Sequence, residues 1–108
     1  WTKQQYFDLG TLTDATNVSW NLQTQQVAQL TLAGSRTLDN PTNQQAGGVY
    51  TLIIKQDGTG SRTLSYGTDY KFQFSSNPVL TTAANAVDVI TFISDGSNMY
   101  GVHSRNFG

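Results

Sequence analysis

Apolar and polar residues alternate with a period of two along much of this chain. In VAQLTLAG (residues 27–34), Ala28, Leu30 and Leu32 fall on one side, and Val27, Gln29 and Thr31 on the other. In NVSWNL (17–22), Val18, Trp20 and Leu22 oppose Asn17, Ser19 and Asn21. Period two is the signature of a strand with one face turned inward. Further strand-compatible runs are QYFDLG (5–10), GVYTLIIKQ (48–56), SRTLSYG (61–67), YKFQF (70–74), AVDVITFIS (86–94) and SNMYGVH (97–103). No segment carries the 3.6-residue period of an amphipathic helix.

Turn-forming residues punctuate these runs. DNPTNQQAGG (39–48) reads as a connecting loop. Asp57-Gly58 and Asp95-Gly96 each lie between two β-rich runs and predict hairpins. Pro78 argues against a central strand in NPVLTTAANA (77–86). About eight to ten short strands with turn signals every 8–12 residues predict an all-β fold, a small antiparallel β-sandwich of jelly-roll-like form. The 108 residues fit a single domain spanning the chain. The chain begins at Trp1 without a methionine, and we read it as a domain cut from a longer protein.

One run breaks the alternation. In AVDVITFIS, Ile90 and Phe92 share a face with Asp88, while Val87, Val89, Thr91 and Ile93 make the opposite face apolar as well. Such a strand is expected to be covered on both sides, at a sandwich centre or a subunit interface. A buried Asp88 then requires a partner, and Arg36 or Arg62 could supply one through a bidentate guanidinium. Both arginines lie in the pentapeptide GSRTL, which occurs at 34–38 and again at 60–64. The flanks of the two copies do not align. Each copy reads as a glycine turn leading into a strand, a scaffold element rather than a tandem repeat or a pair of binding loops.

Composition narrows the chemistry. Charged residues make up 12% of the chain and the formal net charge is −1, so nothing draws it generally to nucleic acid or to an anionic membrane. No apolar run approaches the ~20 residues of a membrane span, so no insertion is expected. There is no cysteine, which removes disulfides and thiolate metal sites. The acids are all aspartates and form no calcium-loop spacing. His103 is the single histidine and accompanies no nucleophile elbow. No catalytic residue, cofactor site or metal site is expected. Of the aromatic residues, Trp20 and Phe72 read as core. Tyr66, Tyr70 and Tyr100 stand near turns, where a ring could meet a sugar.

Five stretches together carry a resemblance: TLTDATNVSWNL, VAQLTLAGSRTLDNPTN, GGVYTLIIKQDGTGSRTLSYG, LTTAANAVDVITFISDG and NMYGV. The chain resembles a C-terminal domain of tail-fibre and other virion structural proteins of tailed bacteriophages and prophages. The resemblance implies a β-rich, non-enzymatic virion module, commonly a homotrimer and often distal. A Gly-Gly-Thr type of turn is usual in such domains before the proline. Here the position reads FQFSSNPVL, and a loop that varies on a constant frame is where partner choice is expected to differ.

These observations predict a structural module on a tail fibre or similar appendage, assembled with itself and with other virion proteins, and attaching to a host-surface glycan or protein. The contact residues expected are Tyr66, Tyr70, Ser75, Ser76 and Asn77 in the irregular stretch, and Ser97 and Asn98 in the last turn. A capsid decoration or baseplate connector without a receptor is the alternative in the same setting. A polysaccharide-degrading domain is the alternative from another class.

Overall fold

The computed structural model describes residues 9–73 and 76–107. Among the described residues nine strands run in order: β1 (Leu9–Thr11), β2 (Asn17–Val18), β3 (Val27–Leu32), β4 (Arg36–Leu38), β5 (Val49–Gln56), β6 (Leu64–Tyr66), β7 (Tyr70–Phe72), β8 (Val87–Ser94) and β9 (Met99–Phe107). They form a six-stranded sheet of order β1-β3-β5-β8-β9-β7 and a three-stranded sheet of order β2-β4-β6. Most of the expected first strand, residues 5–8, lies outside the described residues.

The all-β expectation holds, but the sheets are mixed rather than antiparallel. From β1 to β6 the chain alternates between the two sheets, and each return to a sheet adds a parallel neighbour. Leu9 pairs with Val27 and Val27 with Thr51 in the large sheet; Asn17 pairs with Thr37 and Thr37 with Ser65 in the small one. This is a short parallel coil of three turns, each unable to bury its apolar side alone. A jelly roll is built from antiparallel strands, so this topology departs from the one expected. Antiparallel pairing begins only where β8 returns along β5 and turns into β9.

The local cause of the difference is Asp57-Gly58, which does not close a hairpin. The Asp57 carboxylate accepts hydrogen bonds from the amides of Thr59 and Gly60. Gly60 and Ser61 then take φ of 73° and 59° and carry the chain out of the large sheet towards β6. A side chain at Gly60 would strike the Thr82 carbonyl oxygen at 2.6 Å. The second expected hairpin does form: β8 and β9 pair across residues 95–98, with Ser94 opposite Met99.

One core joins the sheets. Ala28, Leu30, Leu32, Leu52, Ile54, Ile90 and Phe92 come from the large sheet, and Val18, Leu38 and Leu64 from the small one. Trp20 and Leu22, just beyond β2, complete it. Phe92 lies at the centre of an aromatic group, 5.8 Å from Trp20, 5.4 Å from Tyr70 and 5.8 Å from Phe72 between ring centroids. Each such side chain contributes about 1.5–3 kcal/mol by leaving water. On the opposite face of β8, Val87 and Val89 are partly covered and Thr91 and Ile93 exposed. Among the described residues of one chain, therefore, β8 is fully covered on one face only.

Candidate functional site

The loops that connect the strands at one end of the molecule are tied to one another by neutral polar side chains. Gln44, in the 39–48 loop, holds three of them. Its Nε2 donates to Asp69 Oδ2 at 3.3 Å and to the Ser97 carbonyl at 3.1 Å, and its Oε1 accepts from Ser94 Oγ at 2.7 Å. Asn40 clamps the same assembly: Oδ1 accepts from the Asp69 amide at 2.8 Å and Nδ2 donates to Thr68 Oγ1 at 3.2 Å. The Met99 amide closes the set by donating to the Asp69 carbonyl at 2.8 Å. Loops 39–48, 67–69 and 95–98 thus form a single composite surface. Neither Gln44 nor Asn40 stands out in the sequence, because a carboxamide in a turn-rich loop carries no spacing signal.

The 95–98 turn is fixed from within. Asp95 Oδ1 accepts from the amides of Ser97 and Asn98 at 2.9 and 2.7 Å, and Oδ2 accepts from the Tyr100 hydroxyl at 2.9 Å. Hydrogen bonds from Asn98, Ser97 and Tyr100 hold this carboxyl below its ordinary value. Among the described residues the hydroxyl of Ser97 and the carboxamide of Asn98 enter no hydrogen bond, so a rigid backbone presents two free polar groups.

The tyrosines of the irregular stretch lie deeper. Tyr70 is buried and its hydroxyl donates to the Asp39 carbonyl at 2.9 Å. Tyr66 packs edge-on against Phe72 at 4.9 Å and against Tyr70 at 6.3 Å. Burial pushes both phenols above their usual range. These rings build the aromatic core more than a stacking platform. A shallow cleft of about 300 Å³ lies over them, walled by Tyr66, Thr68, Lys71, Phe72 and Asn77. Ser76 is exposed and lines a second cleft on the other side of Phe72, with Pro78 and His103. Ser75 lies outside the described residues.

Asp88 is buried, as its pattern predicts, but neither arginine is its partner. Its Oδ2 accepts from the Thr81 amide at 2.8 Å and faces His103 Nε2 at 3.0 Å, while its Oδ1 accepts from the Asn106 amide at 2.9 Å. A carboxylate can only accept, so Nε2 carries the hydrogen. Burial raises this carboxyl, but the bonds from Asn106, Thr81 and His103 outweigh it and hold it below its ordinary value. The geometry follows from a bulge. Val89 faces Ser104 and Val87 faces Phe107, so β9 carries an extra residue, and Asn106 at φ 60° turns its amide towards Asp88. Buried Gln56 holds the same residue through its carbonyl, donating to the Thr81 oxygen at 2.9 Å.

The arginines find nearer acids. Arg36 makes a bidentate pair with Asp14, both contacts at 2.9 Å, and Arg62 meets Asp57 at 3.1 Å. Each partner carboxyl is drawn down chiefly by its arginine. The two GSRTL segments feed neighbouring parallel strands of the small sheet, offset so that Arg36 faces Leu64. Both copies act as scaffold. Among the described residues no group of histidine and carboxylates is placed to hold a metal ion.

The described residues form a short all-β coil closed by an antiparallel hairpin, with its loops locked into one polar end. The model of the family described as "Putative phage tail fibre C-terminal domain" matches residues 12–99. The chain belongs to this family: it is a phage tail-fibre module, structural and virion-associated. Searches of curated proteins and of solved structures gave no match.

Proposed function

We propose that the domain is a non-enzymatic part of a tail fibre or related surface appendage that acts in host-surface attachment as a homotrimer. Its contact surface is the loop end made by residues 39–48, 67–69 and 95–98, with the cleft at Tyr66 and Asn77 beside it. The observation that carries this reading is the Gln44 junction, which holds three loops in one arrangement and leaves Ser97 and Asn98 free to bond outward. A preorganised polar surface suits a glycan or a polar protein epitope, because little ordering entropy is lost on binding. Three such sites on one trimer bind a host surface with an avidity far above that of any one site.

Binding of the purified domain to host cells tests the reading, with the Ser97→Arg/Asn98→Arg double variant as its counterpart. Wild-type protein is expected to bind, and the variant to lose binding at least tenfold with unchanged thermal stability. Retention on other virion proteins without host binding would replace attachment by a connector or decoration role. Release of reducing ends from host polysaccharide would overturn the non-enzymatic reading.

A further inference from the structure

The outer face of the six-stranded sheet reads as four rows of cross-strand neighbours. Val49, Ile93, Tyr100 and Lys71 form the first; Leu9, Val27, Thr51, Thr91 and Val102 the second; Thr11, Gln29, Ile53, Val89 and Ser104 the third; Thr31, Lys55, Val87 and Phe107 the fourth. Seven large apolar side chains are exposed among the described residues, and all but Val79 lie in these rows. Ile93 is 53% exposed and Val102 70%. Single exposed apolar residues are ordinary, whereas a contiguous set marks a surface that is covered in use.

The composition of the face says what covers it. Its two charges, Lys55 and Lys71, stand in the outermost rows, and the two middle rows hold none. A centre without charge is a compositional mark of a protein interface. Strand spacing and rise give the face a footprint on the order of 500 Å², which with its rim approaches the ~800 Å² per partner of a standard interface. Three such faces, one from each chain, can turn towards a common threefold axis where their β-branched side chains cover one another, and closed symmetric assemblies are the usual form of soluble oligomers of identical chains. We infer that copies of this chain meet through the outer face of the six-stranded sheet, centred on Val49, Thr91, Ile93 and Val102. This inference rests on the oligomer proposed above and names the surface that makes it.

The test uses the full chain. Light scattering is expected to give a multiple of 11.8 kDa for the wild type and a monomer for Ile93→Lys/Val102→Lys, whereas Ser97→Arg/Asn98→Arg leaves the mass unchanged. Because the native chain has no cysteine, Val102→Cys provides a second readout that does not depend on a disruptive substitution. Mild oxidation is expected to link copies through it, and not through Thr82→Cys on the far loop. An oligomer that survives the double lysine variant and gives no Val102→Cys link overturns this surface and leaves the oligomer standing. A wild type that stays monomeric at high concentration overturns both.

Discussion

On β5 and β8, Leu52, Ile54, Ile90 and Phe92 point to one side of the sheet, and Val49, Ile53, Val89 and Ile93 to the other. The two sets are similar in hydrophobicity and differ in what meets them. The inner set packs against Trp20, Val18 and Leu38, with Phe92 in contact with several aromatic rings. Among the described residues the outer set meets no second layer, and Ile93 and Val49 are about half exposed. Hydrophobicity alone thus does not locate a core. The second layer does, and that depends on topology. Substitutions on the inner face should therefore act on folding, and those on the outer face on association.

The largest effect is expected at Phe92→Ala. Removing the ring empties the space shared by Trp20, Tyr70 and Phe72, at a cost of about 3–5 kcal/mol. That is a large share of the ~5–15 kcal/mol available to a domain of this size, and denaturant unfolding measures it. A loss below about 1 kcal/mol would mean that the inner face is not the core. Gly101→Ala tests the same face by overfilling it. Gly101 is opposite Phe92 in β9, and a Cβ there would lie 2.6 Å from a Phe72 ring carbon and 2.7 Å from one of Phe92. The rings must shift, and a loss of about 2–3 kcal/mol is expected.

Asp88 is the polar exception on the inner face. Asp88→Asn keeps the shape but turns an N–H towards the amide of Thr81 or Asn106, leaving a buried donor unpaired, at a cost of about 2 kcal/mol. The acid profile gives an independent measure. The folded-state pKa of Asp88 is below the ordinary value of 3.8, so the native state favours the charged form. Its contribution is fully present above that value and is lost as pH falls through the lower folded-state pKa. Wild-type stability should therefore drop below about pH 4, and more gently in Asp88→Asn. Parallel acid profiles for the two proteins would show that Asp88 does not hold the 76–86 segment through its charge. The carboxyls of Asp14, Asp57 and Asp95 shift in the same direction, so both proteins retain a common acid slope.

The inner face was legible in the sequence where alternation is regular: Val18, Trp20 and Leu22, β3, and the Asp88 side of β8 all orient as their period predicts. The apolar outer side of β8 was legible too, though as a strand needing cover and not as the centre of four rows, because the rows depend on register. Strand direction was hidden for a definite reason. An Asp-Gly pair between two β-runs fits a hairpin and a sheet-to-sheet crossover equally well, and only the φ of Gly60 and Ser61 separates them. The partner of Asp88 was hidden because it includes two backbone amides, one made available by the bulge at Asn106. The 95–98 turn was legible as a hairpin from its Asp-Gly pair. The organiser of the loop end, Gln44, was not, since the contacts to Asp69 and Ser97 join residues far apart in the chain.

The smallest effect is expected at Ile93→Thr. Threonine keeps the β-branched shape that suits a pleated strand, and the side chain it replaces leaves little water when one chain folds alone. At protein concentrations where the chain is monomeric, unfolding should change by no more than about 0.5 kcal/mol. At high concentration the comparison reverses. A ligand that binds only the folded state raises stability by mass action, and a second copy is such a ligand. Wild-type melting temperature should therefore climb with protein concentration, and that of Ile93→Thr should climb less. The same substitution at Ile90, its neighbour on the inner face, should lower the melting temperature at every concentration. If Ile93→Thr behaved like Ile90→Thr, the outer face would be part of the domain's own core, and the distinction between the two faces would fail.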